Sequence, residues 1–213
     1  MPRESDRMVQ EQLVARGIRD KRVLAAMRQV PRDAFVPEEA RPFAFADRPL
    51  PIGYNQTISQ PYIVALMAEC AAIRPGDRVL EIGTGCGYEA AVLSLLAGEV
   101  FSMDIVEPLA SGAAERLKQL GYSVRVRAGD GYAGWPEEAP FNAIVLAAAA
   151  PVVPEPLLEQ LAPDGRLVMP LGTDDQQLTI ILKTPEGFGR KTLAPVQFVR
   201  MTGRVTQEPG RDG

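Results

Sequence analysis

Apolar positions change period several times along the chain, and each change predicts an element. Met8, Val9, Leu13 and Val14 recur at helical spacing within residues 5–17, opened by Ser5 and closed by Gly17. Asp20 stands where an N-cap belongs, ahead of a second helix over 21–30 (Val23, Leu24, Met27, Val30) that Pro31 stops. Residues 31–51 lose the period but hold several prolines with Phe35, Phe43 and Phe45, which predicts an irregular, packed connector. A polar stretch at 51–61 precedes a helix over 62–72. Strands and helices then alternate: strand 79–82, helix 88–96, strand 98–104, helix 107–120 ended by Gly121, strand 123–127. A nearly all-apolar strand follows at 141–149, then helix 151–161, a turn at Pro163-Asp164-Gly165 and strand 166–170. A strand apolar on both sides belongs in the middle of a parallel sheet covered on both faces. Strands at 177–184 and 191–200, joined around Pro185-Glu186-Gly187, predict an antiparallel pair.

This order predicts an α/β fold: a doubly wound, mostly parallel, Rossmann-like sheet with N-terminal helices and a C-terminal antiparallel strand pair. Right-handed crossovers would place a ligand at the carboxyl ends of the strands. No internal repeat or dividing linker is visible, so one domain is expected over 1–213. Its parts are a helical extension (1–50), a polar loop (51–61), the α/β core (62–205) and a polar tail (206–213).

The first core strand runs into Gly83-Thr84-Gly85-Cys86-Gly87 and then into a helix start. In such a turn backbone N–H groups and the helix dipole face a ligand. A dinucleotide fingerprint wants its third glycine at the sixth position counted from the first, where this chain has Tyr88. Glu81 just before the turn would repel a pyrophosphate and suits the α-amino group of a cationic cofactor. S-adenosylmethionine therefore fits better than NAD, although a glycine-rich turn that binds nothing would read the same way. Asp104, followed by Ile105, closes the next strand about 20 residues downstream, where a ribose diol is held in nucleotide-binding βαβ units. Asp130 and Gly131 form another strand-end turn, where the carboxylate would accept from an adenine amino group or simply shape the turn.

Composition narrows the classes. The chain has 213 residues, 46% apolar and 23% charged, with a net charge of -4, which argues against nucleic acid or anionic membrane as partners. The charged N-terminus and the lack of a long apolar run predict a cytoplasmic protein. Cys70 and Cys86 are the only cysteines and have no partners at metal spacing, so free thiols and no metal are expected. Histidine is absent, which removes histidine triads, imidazole-ligated zinc and the commonest general base. The stretch Pro51-Ile52-Gly53-Tyr54-Asn55-Gln56-Thr57-Ile58-Ser59-Gln60-Pro61 is rich in hydrogen-bonding side chains. Ser59 either caps the helix behind it or belongs to a flap that folds over the cofactor and holds the acceptor.

Five segments together resemble the protein-L-isoaspartate (D-aspartate) O-methyltransferases, a class I S-adenosylmethionine-dependent family. They are VPRDAFVP (30–37), YNQTISQP (54–61), VLEIGTGCGYEAAVL (79–93), GDGYAGWPEEAPFNAI (129–144) and AAAPVVPEPLLEQL (148–161). Many methyltransferases share the glycine turn, whereas the TISQP stretch is specific. The resemblance implies that Ser59 is the active-site hydroxyl and that Gln56, Thr57 and Ile58 line the cleft with it. It implies that Gly83, Gly85 and Cys86 wrap the methionine part, Asp104 holds the ribose, and Asp130 with Gly131 meets the adenine. Thr202 and Gln207 match a pair that reaches the cofactor in animal members. Cys86 stands where serine is usual, Asn142 where aspartate is usual, and Arg200 where a proline commonly precedes the final Thr.

The implied reaction moves a methyl group from S-adenosylmethionine to the free carboxylate of isoaspartyl or D-aspartyl residues in damaged proteins, leaving S-adenosylhomocysteine. The ester then collapses to a succinimide whose hydrolysis restores some normal aspartate. The expected partners are isoaspartyl proteins and peptides, met by a monomer. Three other readings stay open from sequence: a related carboxyl methyltransferase for one peptide aspartate or a small carboxylate, a cofactor-binding module without transfer activity, and an NAD oxidoreductase.

Overall fold

A strand apolar on both sides can only sit where both faces are covered, and the computed structural model, which describes residues 3–206, places the nearly all-apolar strand at 141–146 in the middle of its main sheet. β1 (Leu50–Gly53) and β2 (Gln56–Ile58) form a separate hairpin. The main sheet comprises β3 (Arg78–Ile82), β4 (Glu99–Asp104), β5 (Arg125–Ala128), β6 (Phe141–Leu146), β7 (Leu161–Leu171), β8 (Gln177–Thr184) and β9 (Gly187–Pro195). Their order is β5-β4-β3-β6-β7-β8-β9. The first five are parallel, and β8 and β9 run antiparallel. The doubly wound sheet with a terminal antiparallel pair is therefore the observed fold.

Register brings the strand ends that matter to one edge. Ile82 at the end of β3 pairs with Met103 of β4 on one side and Leu146 of β6 on the other. Alternation along β3 then feeds two cores. Val79 joins one with the N-terminal helices, while Leu80 and Ile82 join the other with Phe101, Phe141 and Ile144. Glu81 falls on the same side of β3 as Val79, which is why an acid lies inside the protein at all.

The helices are α1 (Glu4–Met8), α2 (Lys21–Gln29), α3 (Pro61–Ala71), α4 (Tyr88–Ser94), α5 (Glu107–Gln119) and α6 (Glu155–Glu159). α2 matches its expectation: the Asp20 carboxylate accepts from the Arg22 and Val23 N–H groups. The first helix does not run as one piece. α1 passes into a wider π turn at Val9–Leu13 and a tight turn at Val14–Arg16, which together bury Met8, Val9 and Leu13 on one side. Ser5 does not cap it; Arg3 holds that position and Ser5 is buried in the first turn. α6 is shorter than residues 151–161, because Pro154 and Pro156 confine its start.

Three further expectations are corrected. Residues 51–61 are a hairpin, not a loop, since Tyr54 and Asn55 both adopt left-handed φ (52° and 56°), the geometry of a tight turn between antiparallel strands. Pro163-Asp164-Gly165 does not end a strand; it is an irregularity inside β7, with Asp164 at φ 59° and the β6 pairing shifted there. β9 begins earlier than residue 191, because Thr184 pairs with Gly187 and leaves only Pro185 and Glu186 in the turn. Residues beyond β9 leave the ladder and cross to the strand ends: Ala149 N–H donates to the Val199 carbonyl (2.8 Å) and Met201 N–H to the Ala149 carbonyl (2.7 Å). In the connector Phe35 is buried while Phe43 is exposed beneath the Arg48 guanidinium. Among the described residues no helix is long and apolar enough to cross a membrane.

Candidate active site

The carboxyl ends of β3, β4 and β6 form the floor of a cleft, and the β1–β2 hairpin forms its roof. The empty space between them, part of it open solvent, is about 820 Å³. The glycine loop makes the floor. Gly85 has a φ of 53°, and a Cβ there would stand 3.3 Å from Ile52 of the hairpin, so roof and floor approach too closely for a larger residue. The Asp104 carboxylate fixes the loop, accepting from Gly85 N–H (2.8 Å) and Val106 N–H (2.9 Å). A carboxylate has roughly four lone-pair sites, so acceptor capacity remains for a diol.

Glu81 is fully buried. The Ser102 hydroxyl donates to its Oε2, and Ser102 in turn shares a 2.6 Å hydrogen bond with Thr84. Its Oε1 has no hydrogen bond, and the same is true of Oε1 of Glu89, buried on the first turn of α4. Both residues line the cleft. Burial, and then repulsion by Glu89, pushes the Glu81 carboxyl well above the usual range; burial pushes Glu89 up to about 8. Cys86 is buried and its thiol is raised for the same reason; burial likewise takes Cys70 to about 11. Neither thiol has the exposed, electropositive setting of a nucleophile.

The roof is held from behind by Arg32, a fully buried side chain of the connector. Its Nε donates to the Ala44 carbonyl (2.7 Å), its Nη2 to the Ser59 carbonyl (2.7 Å), and its guanidinium lies over the Tyr88 ring at 4.7 Å. Ser59 does not cap α3, whose N-cap is Gln60 without a side-chain bond. The Ser59 side chain lies instead on the wall between the cleft and a second, wider groove of about 1690 Å³. Tyr62, Ile63, Leu66, Val196 and Phe198 supply the apolar lining of that groove.

Of the residues expected at the site, Gln56, Thr57, Ile58, Ser59, Glu81, Gly83, Gly85, Cys86, Asp104, Ile105, Gly131 and Thr202 all line the cleft. Ile105 and Thr202 are exposed at its rim. Gly131 is tightly confined, since a Cβ would overlap Ile82 Cγ2. Asp130 is not on the cleft wall: one oxygen accepts from Tyr132 N–H (2.9 Å) and the other from Arg204 N–H (2.8 Å), tying two turns together. Gln207 lies outside the described residues. Among the departures, Asn142 accepts from Arg78 N–H far from the cleft, and Arg200 lines the cleft while pairing with Asp174 at 2.6 Å.

A family model for protein-L-isoaspartate(D-aspartate) O-methyltransferase matches residues 3–206. The chain belongs to this family. A protein-L-isoaspartate O-methyltransferase of Gloeobacter violaceus is 54% identical over 204 residues, covering 94% of this chain and 100% of the relative. Among solved structures, one protein-L-isoaspartate O-methyltransferase is 27% identical with a TM-score of 0.87, covering 94% of this chain and 67% of its own. Another, from Plasmodium falciparum and in complex with S-adenosyl-L-homocysteine, is 26% identical with a TM-score of 0.82, covering 95% and 99%. The family match includes the hairpin, the glycine loop and the segment ending at Thr206, and stops before Gln207.

Sequence reasoning missed Glu89, Tyr88 and Arg32. Glu89 left a trace, as the one charged residue in the apolar run 88–96. Arg32, between Pro31 and Asp33, reads as surface, and only the fold reveals that it is enclosed.

Proposed function

We propose that this chain transfers a methyl group from S-adenosylmethionine to the free carboxylate of isoaspartyl residues in proteins, with Ser59 orienting the acceptor. The supporting observation is the position of Ser59 on the wall shared by the cleft at the strand ends and a wide, partly apolar, solvent-open groove. The residues fit the cofactor by their own chemistry. Glu81 and Glu89 line the cleft with one unsatisfied acid oxygen each, which suits a cationic ligand, and Asp104 retains acceptor capacity for a diol. S-adenosylmethionine supplies, when bound, an electrophilic methyl group on a sulfonium.

The remaining work falls to the chain. A carboxylate acceptor with a reference pKa of about 4 is already ionised at neutral pH, so no base is required and the missing histidines cost nothing. Ser59 makes no hydrogen bond through its hydroxyl within the described residues and is free to donate to one carboxylate oxygen. Its backbone is held by Arg32, so the donor is fixed relative to the floor. Alignment of acceptor oxygen and methyl carbon at about 3–3.5 Å supplies the rate enhancement, and the roof excludes water as opposite charges neutralise. A single donor orients the carboxylate without blunting its nucleophilicity.

The test is incubation of purified protein with methyl-labelled S-adenosylmethionine and matched isoaspartyl and aspartyl peptides. Label is expected on the isoaspartyl peptide alone. Equal labelling of the aspartyl peptide, or none of either, overturns the acceptor assignment.

A further inference from the structure

We propose that Glu89 is a specificity-determining residue, forming with Glu81 a buried two-carboxylate counter-ion that favours the cationic sulfonium donor over its neutral thioether product. The proposal rests on the reading that the cofactor occupies the cleft below the hairpin.

Two acids seldom share an interior without a cation. Glu81 is 0% exposed and Glu89 6%, and each keeps one oxygen without a hydrogen bond on the cleft lining. They sit on different elements, β3 and the first turn of α4, so no local turn motif accounts for the pairing. Charged and polar neighbours on the surrounding elements are committed elsewhere. Asp104 at the end of β4 is occupied by Gly85 and Val106 N–H groups, and Arg116 of α5 donates to the Cys86 carbonyl. Arg32 is held by Ala44 and Ser59 over Tyr88, its Nη1 without a hydrogen-bond partner and in no ion pair with either glutamate, and the Ser102 hydroxyl binds only the Glu81 side of the pair. Among the described residues neither glutamate has an ion-pair partner, so the missing positive charge is expected from the ligand.

The charge count discriminates between donor and product. S-adenosylmethionine carries a sulfonium, an ammonium and a carboxylate, a net positive charge; S-adenosylhomocysteine lacks the sulfonium charge and is neutral overall. Near neutral pH burial favours the protonated form of both carboxyls in the ligand-free cleft, so the pair carries a proton that an incoming cation can displace. Binding of the cationic donor releases that proton to solvent and leaves negative charge on the pair. Once the methyl group has left, the ligand's positive charge falls by one and the pair takes a proton back. Glu89 thus makes the cleft bind donor in preference to product, and more so as pH rises towards the value at which the free pair ionises unaided.

Calorimetry of both ligands in buffers of different ionisation enthalpy tests this without any turnover. At about pH 7, S-adenosylmethionine binding to the unaltered protein should release more protons than S-adenosylhomocysteine binding, the difference shrinking as the pH rises and the free pair ionises. In E89Q the excess release should disappear and the donor-over-product affinity ratio should fall about tenfold, the loss of one opposing charge at a poorly screened site. S-adenosylhomocysteine affinity should stay within about twofold, because Glu81 remains to meet the ammonium. E89Q that binds both ligands with the original ratio and proton count overturns the proposal. Should E89Q fail to fold, equal proton release by the two ligands in the unaltered protein overturns it equally. Asp104→Ala separates the two layers: if it leaves both affinities unchanged, the cleft is not the cofactor site, and the reading and the proposal fall together. If it weakens both while E89Q changes neither ratio nor protons, only the proposal fails.

Discussion

Floor and roof of the cleft are built by different physics. The floor is the end of a parallel sheet: Gly83 N–H donates to the Met103 carbonyl (2.8 Å), Asp104 clamps Gly85, and the strands beneath are buried on both faces. The roof is a hairpin of two short strands with an exposed Tyr54 at its tip. A two-stranded hairpin is marginal by itself. Here it is anchored from below by Ile58 and from behind by the Arg32 guanidinium. The floor thus inherits its geometry from the whole sheet, while the roof depends on a few contacts made by a segment outside it. The difference implies that floor substitutions weaken ligand affinity, and roof substitutions change turnover and local stability.

Arg32→Met gives the largest expected effect. It leaves the Ala44 and Ser59 carbonyls unpaired in the interior, and a loss of about 3 kcal/mol is expected in urea unfolding. Turnover should fall with it while the remaining folded protein still binds S-adenosylhomocysteine; a variant of unchanged stability would break the anchoring account. Next, Asp104→Ala should weaken cofactor binding by about 1.5–3 kcal/mol, read by calorimetry, with little change in kcat at saturating cofactor. Ser59→Ala should do the reverse, lowering kcat on an isoaspartyl peptide about tenfold with cofactor affinity unaltered, since one oriented donor is lost. An unchanged rate removes Ser59 from the mechanism.

The smallest effect concerns stability against pH. Burial holds Glu89 protonated to about 8 in the fold, against about 4.5 when exposed. The folded state therefore binds more protons over that interval, and stability falls as pH rises through it, levelling off above the folded value. Glu89→Gln should flatten this decline in the ligand-free protein and raise Tm at pH 8. A slope unchanged by the substitution would assign the decline to Glu81 alone.

Much of this was legible in the chain. The alternating elements, the Asp20 cap and the glycine turn are local signals, set by periodicity and by what each backbone position allows. The hairpin was not read as such, because Tyr54-Asn55 lacks the glycine that usually marks its turn and each strand is too short to show alternation. Asp130 read as either a ligand-facing acid or a turn residue; in the fold it is absent from the cleft lining and ties two turns together, accepting one backbone N–H on each oxygen, one of them from Arg204 far along the chain.

The sequence alone determined the layered α/β architecture and the strand ends where a ligand belongs, because period, caps and glycine spacing act within one or two turns of chain; the hairpin residues and Thr202 were assigned to the cleft only by the family resemblance. Tertiary structure alone decided which polar groups are enclosed together. Arg32 lies behind Ser59 from a separate segment of the chain, Glu89 and Glu81 are enclosed together from a helix and a strand, and no local pattern records how deeply a charge is buried or whether its partner is already taken.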